Sequence, residues 1–215
     1  MKIALPEKKN IKETSAADPL KFYFLPGARS FYLARFADAI RLLGGHMGRL
    51  LDVGCGSGIF LPELAKHCDH LIACDFHPHL DRPANMLRAE FVKAMLVRSD
   101  ARALPWASES MDAVVCMSVL EHLHDLEKAA EEFYRVLRPG GIAVIGVPVA
   151  NLLTDAILRL SYLSLDACLD DEHVSTHHDV LRTLGKRFSL EKMLRIPRLL
   201  PDPVGLYCTV RFRRR

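Results

Sequence analysis

Leu50-Leu51-Asp52-Val53-Gly54-Cys55-Gly56-Ser57-Gly58 joins a short apolar run to three alternating glycines, and a segment of helical spacing follows. In a parallel α/β sheet the chain leaving the first strand must turn sharply, let a ligand approach bare backbone and aim helix N-terminal N–H groups at it. Glycine permits all three. The stretch therefore reads as a nucleotide-binding turn, set against the plainer alternative of an ordinary tight turn. Its spacing narrows the ligand. A dinucleotide-binding turn reads GxGxxG, and after Gly54 and Gly56 the third glycine would fall at position 59, which is Ile59. Here the third glycine is Gly58, giving DxGxGxG from Asp52.

Outward from the turn, apolar periodicity alternates between two kinds. Leu33, Phe36, Ala37, Ile40 and Leu43 mark one face of a helix over Ala28 to Leu43, stopped by Gly44-Gly45. Strands are predicted at Leu50 to Val53, His70 to Cys74, Ala94 to Arg98, Met111 to Ser118 and Ile142 to Val147. Helices are predicted at Ile59 to His67 and Leu126 to Leu137, the latter ended by Pro139-Gly140-Gly141. This alternation predicts a doubly wound α/β domain, a mostly parallel Rossmann-like sheet with helices on both faces. Beyond it come a helical face at Asn151 to Leu160, a helix near Asp179 to Leu184, and two short runs, Phe188 to Leu194 and Val204 to Phe212, that read as a hairpin-like addition.

The 215 residues, half of them hydrophobic, suffice for one full core, and a single domain is expected. A net charge of +3 is mild. The one basic concentration, Arg211, Arg213, Arg214 and Arg215, reads as a solvated tail rather than a nucleic-acid contact. No aromatic-basic interleaving points to single-stranded nucleic acid, and none is expected as partner. Six cysteines without a CxxC pair suggest reduced thiols and a cytoplasmic setting. No signal peptide is evident, and no apolar run reaches the roughly 18 residues a membrane span needs.

Two carboxylates give the turn its ligand. Asp75 ends its strand 21 positions after Gly54, where it can accept hydrogen bonds from ribose hydroxyls. Asp100, past the next strand in Ser99-Asp100-Ala101-Arg102, can accept from an exocyclic amine of adenine while a neighbouring N–H reads a ring nitrogen. With Glu121-His122-Leu123 and Arg135-Val136-Leu137-Arg138-Pro139-Gly140-Gly141, this order resembles the class I S-adenosylmethionine (SAM)-dependent methyltransferases. The closest likeness is to the small-molecule branch that includes quinone-biosynthesis enzymes (methyltransferase type 11), over roughly residues 48 to 148. The resemblance implies a seven-stranded sheet with the last strand antiparallel, and SAM as cofactor. It places Gly54, Cys55, Gly56 and Gly58 along the methionine, Asp52 at its ammonium, Asp75 at the ribose and Phe76 by the base. Asp100 and Ala101 would read the adenine, and Ser118 would flank the methionine. It further implies a helical lead over 1–45, a SAM-binding core over 46–148, and an acceptor-side insertion with terminal strands over 149–215.

Methyl transfer from a sulfonium needs in-line placement, exclusion of water, and a base if the acceptor is protonated. His122 is the first candidate base. His177, in Asp171-Glu172-His173-Val174-Ser175-Thr176-His177-His178, is the second. His173 and His177 stand four apart and could share a helix face, but their acidic neighbours favour a solvated surface over a metal site. Met117-Ser118-Val119-Leu120 replaces the Asn/Asp-Pro-Pro-Tyr run of amino-methylating DNA and protein enzymes, so a small-molecule or lipid-like acceptor is expected. The apolar face Leu152, Leu153, Ala156, Ile157 and Leu160 could lid such an acceptor, touch a membrane surface or simply pack on the core. A non-catalytic SAM-binding protein and a nicotinamide-dependent oxidoreductase are the rival readings. The second accounts for Asp75 but not for the GxGxG spacing or Asp100.

Overall fold

The computed structural model describes residues 3–15, 18–149, 174–198 and 205–215. The helix predicted at Asn151 to Leu160, together with His173, lies outside them. Strands β1 (Met47–Val53), β2 (Cys68–Asp75), β3 (Met95–Arg98), β4 (Met111–Met117), β5 (Leu137–Pro148), β6 (Phe188–Ile196) and β7 (Tyr207–Arg214) form one sheet in the order β3-β2-β1-β4-β5-β7-β6. The first five pair in parallel, and β7 runs antiparallel between β5 and β6.

Among the described residues the helices are α1 (Ala28–Leu43), α2 (Leu61–Leu64), α3 (Asp81–Ala89), α4 (Leu126–Val136) and α5 (His177–Gly185). Alternation along the central strands sorts them between the two faces. Leu51, Val53, Val114, Cys116, Ala143 and Ile145 join Phe133 and Ala130 of α4 and Leu184 of α5 in one core. Leu50, Ala113, Val115, Ile142 and Val144 face Phe36, Ile40 and Leu43 of α1, Leu61 of α2 and Met86 of α3 in the other. The Phe36 and Phe60 rings stack there at 3.9 Å. Asp52 shares the Leu50 parity and so emerges on the α1 side, at the sheet end where the strand order reverses between β1 and β4. In such sheets this is the place for a ligand.

Several elements differ from the sequence expectation. The segment Ile59 to His67 is only the short α2 followed by a 3-10 turn, Ala65–His67. Helix α3 has no counterpart in the periodicity reading. It carries three charged residues and Pro83, which reads as a breaker but sits in the first turn, where its missing N–H is not needed. Arg138 does not belong to the helix preceding it. Helix α4 ends at Val136, Arg138 pairs with Asp112 at 2.7 Å, and the Pro-Gly-Gly run forms an irregularity at the start of β5, where the register slips between Met111 and Ala113. The C-terminal arginines are not a solvated tail either. Arg211, Arg213 and Arg214 lie in β7, where Arg211 and Arg213 both clamp Glu191 and Arg214 bonds the Leu137 carbonyl. Trp106 packs partly buried against the α4-side core.

Candidate active site

A cavity of about 500 Å³ opens beyond the carboxyl ends of β1, β2 and β4. Asp52, Gly54, Cys55, Gly56, Asp75, Phe76, Asp100, Ala101, Ser118 and His122 all line it, so residues spread over 71 positions meet at one surface. Gly58 does not line it. Its φ is +82°, and a Cβ there would press on Pro83 and Met86 at 2.9 Å, so this glycine serves the packing of α3 rather than the cavity wall.

The three glycines have separate reasons for being glycine. All have positive φ. At Gly54 (φ +81°) a Cβ would overlap Val119 Cγ2, so the turn closes against the chain leaving β4. At Gly56 (φ +51°) a Cβ would meet nothing within 4 Å, which leaves bare backbone facing open space for a ligand.

Asp75 ends β2 and ties the turn down. Its Oδ2 accepts from the Gly56 N–H at 2.7 Å and its Oδ1 from the His77 N–H at 3.1 Å. His77 Nε2 also stands 3.2 Å from the Gly56 carbonyl. Phe76 is 66% exposed, an apolar ring free to cover a flat ligand, with Arg98 over its face. Past β3, Asp100 is held by Arg102 through both oxygens, with Arg102 Nη2 at 2.7 Å from Oδ2 and the Arg102 N–H at 2.8 Å from Oδ1. Hydrogen bonding to Arg102 keeps the Asp100 carboxyl below its usual range.

Asp52 is buried, and loss of solvent together with the nearby Asp75 charge pushes it up to about 7. The native state therefore binds this proton more tightly than the unfolded chain, where the ordinary value is 3.8. The stability this confers is complete below pH 4 and fades as pH rises through 7. Asp52→Asn, which cannot ionise, is expected to remove that slope. Between pH 5.5 and 7.5 the parent should lose about 1–2 kcal/mol of unfolding free energy relative to the variant in urea titrations. Parallel pH profiles would contradict the assignment.

The rest of the cavity lining comes from residues that carry no motif. Thr14, Ser15, Asp18, Pro19 and Tyr23 close it from the N-terminal side, with Asp18 accepting from Thr14 and from the Leu20 N–H. Arg35 and Phe36 of α1 and Met117, Val119 and Leu123 around the end of β4 complete it. Arg35 had a detectable signal, a charge between Tyr32 and Phe36 on the buried side of an otherwise apolar helix. The N-terminal segment had none beyond its polarity. Ser118, held at φ +58°, connects Arg35 Nη2 (2.9 Å) to the Tyr207 hydroxyl (2.9 Å).

The candidate bases separate. His122 closes the 3-10 turn Leu120–His122 after β4 and lines the cavity. His177 starts α5, buried and set against His178, and is not part of the cavity wall. Among the described residues no cluster of three or more His, Cys, Asp or Glu is arranged for a metal, and no helix is long and apolar enough to cross a membrane.

The strand order with an antiparallel β7, and a glycine turn and two strand-end aspartates at one cavity, define the fold of the class I SAM-dependent methyltransferases. Residues 51–145 match the family model described as a methyltransferase domain. Among curated relatives, the demethylmenaquinone methyltransferase of Deinococcus radiodurans is 32% identical over 133 residues, covering 60% of this chain and 55% of that protein. The demethylmenaquinone methyltransferase of Roseiflexus castenholzii is 38% identical over 99 residues, covering 44% and 40%. The chain thus spans about half the length of the curated relatives it matches. Among solved structures, the N-methyltransferase NodS of Bradyrhizobium japonicum in complex with S-adenosylhomocysteine (SAH) superposes with a TM-score of 0.69 at 22% identity, covering 94% of both chains.

Proposed function

We propose that the chain transfers a methyl group from SAM to a small-molecule or lipid-like acceptor. The observation that carries this is the meeting of Gly56, Asp75, Phe76 and Asp100 at one cavity. The residues fit the cofactor. Bare backbone at Gly56 leaves room for close approach, and Asp75 keeps lone pairs beyond the two N–H groups it already accepts. The exposed Phe76 ring suits an adenine face. Asp100 fits with one condition: its oxygens already serve Arg102, so an adenine amine has to share one of them.

Bound SAM would supply an electrophilic methyl on a sulfonium. The chain's own part is placement and proton handling. Asp52 is a buried acceptor for the methionine ammonium, and an ammonium beside it favours the ionised carboxylate. His122 lines the same wall and is the base we assign to a protonated acceptor; His177 lies off that wall. Two relatives bear names that refer to demethylmenaquinone, which supports an acceptor with a ring and an apolar body.

Calorimetric titration tests the cofactor reading. SAM and SAH should bind at a 1:1 ratio while NAD does not, and near pH 6.5 binding should release a fraction of a proton as Asp52 ionises, read by repeating the titration in buffers of different ionisation enthalpy. Saturable NAD binding without SAM binding would favour the oxidoreductase reading instead.

A further inference from the structure

We propose that His77 is a positioning residue for the cofactor: its ring holds the Gly56 carbonyl, and this bond keeps the bare backbone of the glycine turn where SAM approaches it. The inference rests on the methyltransferase reading of the cavity and adds a residue to it. His77 lines the cavity, and its side chain is 15% exposed. It stands outside the glycine motif, two residues past Asp75.

The turn needs such a holder. It leads into α2, which is only four residues long and gives way to a 3-10 turn. A helix that short gives the chain in front of it little rigid backing. The ties come from the end of β2 instead. The Gly54 and Cys55 N–H groups both donate to the Cys74 carbonyl, at 2.8 and 3.1 Å, and the Gly56 N–H donates to Asp75 Oδ2 at 2.7 Å. His77 Nε2, 3.2 Å from the Gly56 carbonyl, completes the set. Gly56 has no side chain to pack, so two neighbouring side chains fix it, one at each of its backbone groups.

A second contact sets the direction of the bond. The His79 N–H donates to His77 Nδ1 at 3.1 Å, so Nδ1 presents its lone pair and the proton of the neutral ring sits on Nε2. Nε2–H therefore donates to the Gly56 carbonyl. Asp75 Oδ2 is 3.8 Å from Nε2, beyond hydrogen-bond reach, so the carboxylate does not compete for this proton. Pro78, between the two histidines, narrows the backbone freedom of His77 and helps to aim its ring. Asp75 has a second duty in the ribose we assign to it. His77 keeps the turn anchored when that carboxylate is shared with the ligand.

Three variants separate the bond to Gly56 from the bond to His79. His77→Gln brings an amide donor within reach of the Nε2 position, His77→Asn brings an amide oxygen to the Nδ1 position, and His77→Ala removes both. In calorimetric titrations of the full chain with SAH, His77→Ala should bind about 3- to 10-fold more weakly than the wild-type protein. His77→Gln should recover to within about twofold of the wild-type protein, and His77→Asn should stay with His77→Ala. In 15N spectra of the ligand-free wild-type protein in mildly alkaline buffer, the His77 ring, assigned by its loss in His77→Gln, should be protonated at Nε2 and bare at Nδ1. Unchanged SAH affinity in a folded His77→Ala protein would overturn the proposal. So would recovery by His77→Asn or by neither amide, or a ring protonated at Nδ1. The ring spectrum and the comparison of the two amides decide the matter even if His77→Ala does not fold. Failure of the wild-type protein to bind SAH would count against the methyltransferase reading alone, and the ligand-free spectrum would still test the hold of His77 on Gly56.

Discussion

Gly54→Ala is expected to lower the unfolding free energy by about 2–5 kcal/mol, the sum of a non-glycine residue held at positive φ and an overpacked contact. The backbone at Gly54 sits at φ +81°, and the new methyl would overlap Val119 Cγ2, which the turn after β4 holds in place. Neither term relaxes easily. Gly54 donates to the Cys74 carbonyl at 2.8 Å, so rotating away from the strained φ breaks the tie between the turn and β2. Gly56→Ala separates packing from ligand access. Its φ of +51° lies in the left-handed region that other residues enter at modest cost, and its Cβ would meet nothing within 4 Å. It should fold with a loss of about 1 kcal/mol and still bind SAM poorly, because the methyl projects where the ligand must approach. Urea unfolding of both variants checks this. Equal stability of Gly54→Ala and the parent would contradict the packing account of the turn.

Asp75→Ala should weaken SAM binding by about 1.5–3 kcal/mol, which is about 10- to 150-fold in Kd. The carboxylate is expected to accept from the ribose, and in the structure it also anchors the Gly56 and His77 N–H groups. Both losses fall on the cofactor site. The effect on the fold should be small, since Asp75 is the last residue of β2 and its β-strand partner Arg98 is retained through the backbone. Asp75→Asn keeps one acceptor oxygen and should show an intermediate loss. Calorimetry with SAH, alongside a thermal melt for each variant, reads the two effects separately. Unchanged affinity in a folded Asp75→Ala protein would remove the ribose assignment.

The glycine-turn side of the candidate site was readable from sequence because its signals are local. A parallel strand buried on both faces is written as an apolar run, the turn behind it must be glycine, and a strand-end carboxylate follows at a fixed distance. Asp52, Gly56, Asp75 and Asp100, all singled out from such signals, line one cavity. Gly58 carries the same local signal but answers to Pro83 and Met86 of a helix that charge and proline had hidden. The rest of the cavity lining was not readable. Thr14, Tyr23 and Arg35 reach the cavity only through tertiary packing of the N-terminal segment and α1 across the sheet end, and nothing in their spacing records it. The C-terminal arginines misled for a related reason. As a sequence they look like a solvated run, but alternation in β7 and the facing Glu191 turn them into part of the sheet edge. The acceptor-side face expected over Asn151 to Leu160 lies outside the described residues.

The most direct test of the account is transfer of a labelled methyl group from SAM into fractionated cell extract, run with the wild-type protein and with Asp75→Ala at the same concentration. The account predicts label in a discrete small-molecule or lipid fraction with the wild-type protein. At sub-saturating SAM, Asp75→Ala should lower that label by about tenfold or more, matching its loss of affinity. No incorporation above the Asp75→Ala background, from a protein that binds SAM saturably, would contradict methyl transfer and leave a SAM-binding protein without turnover.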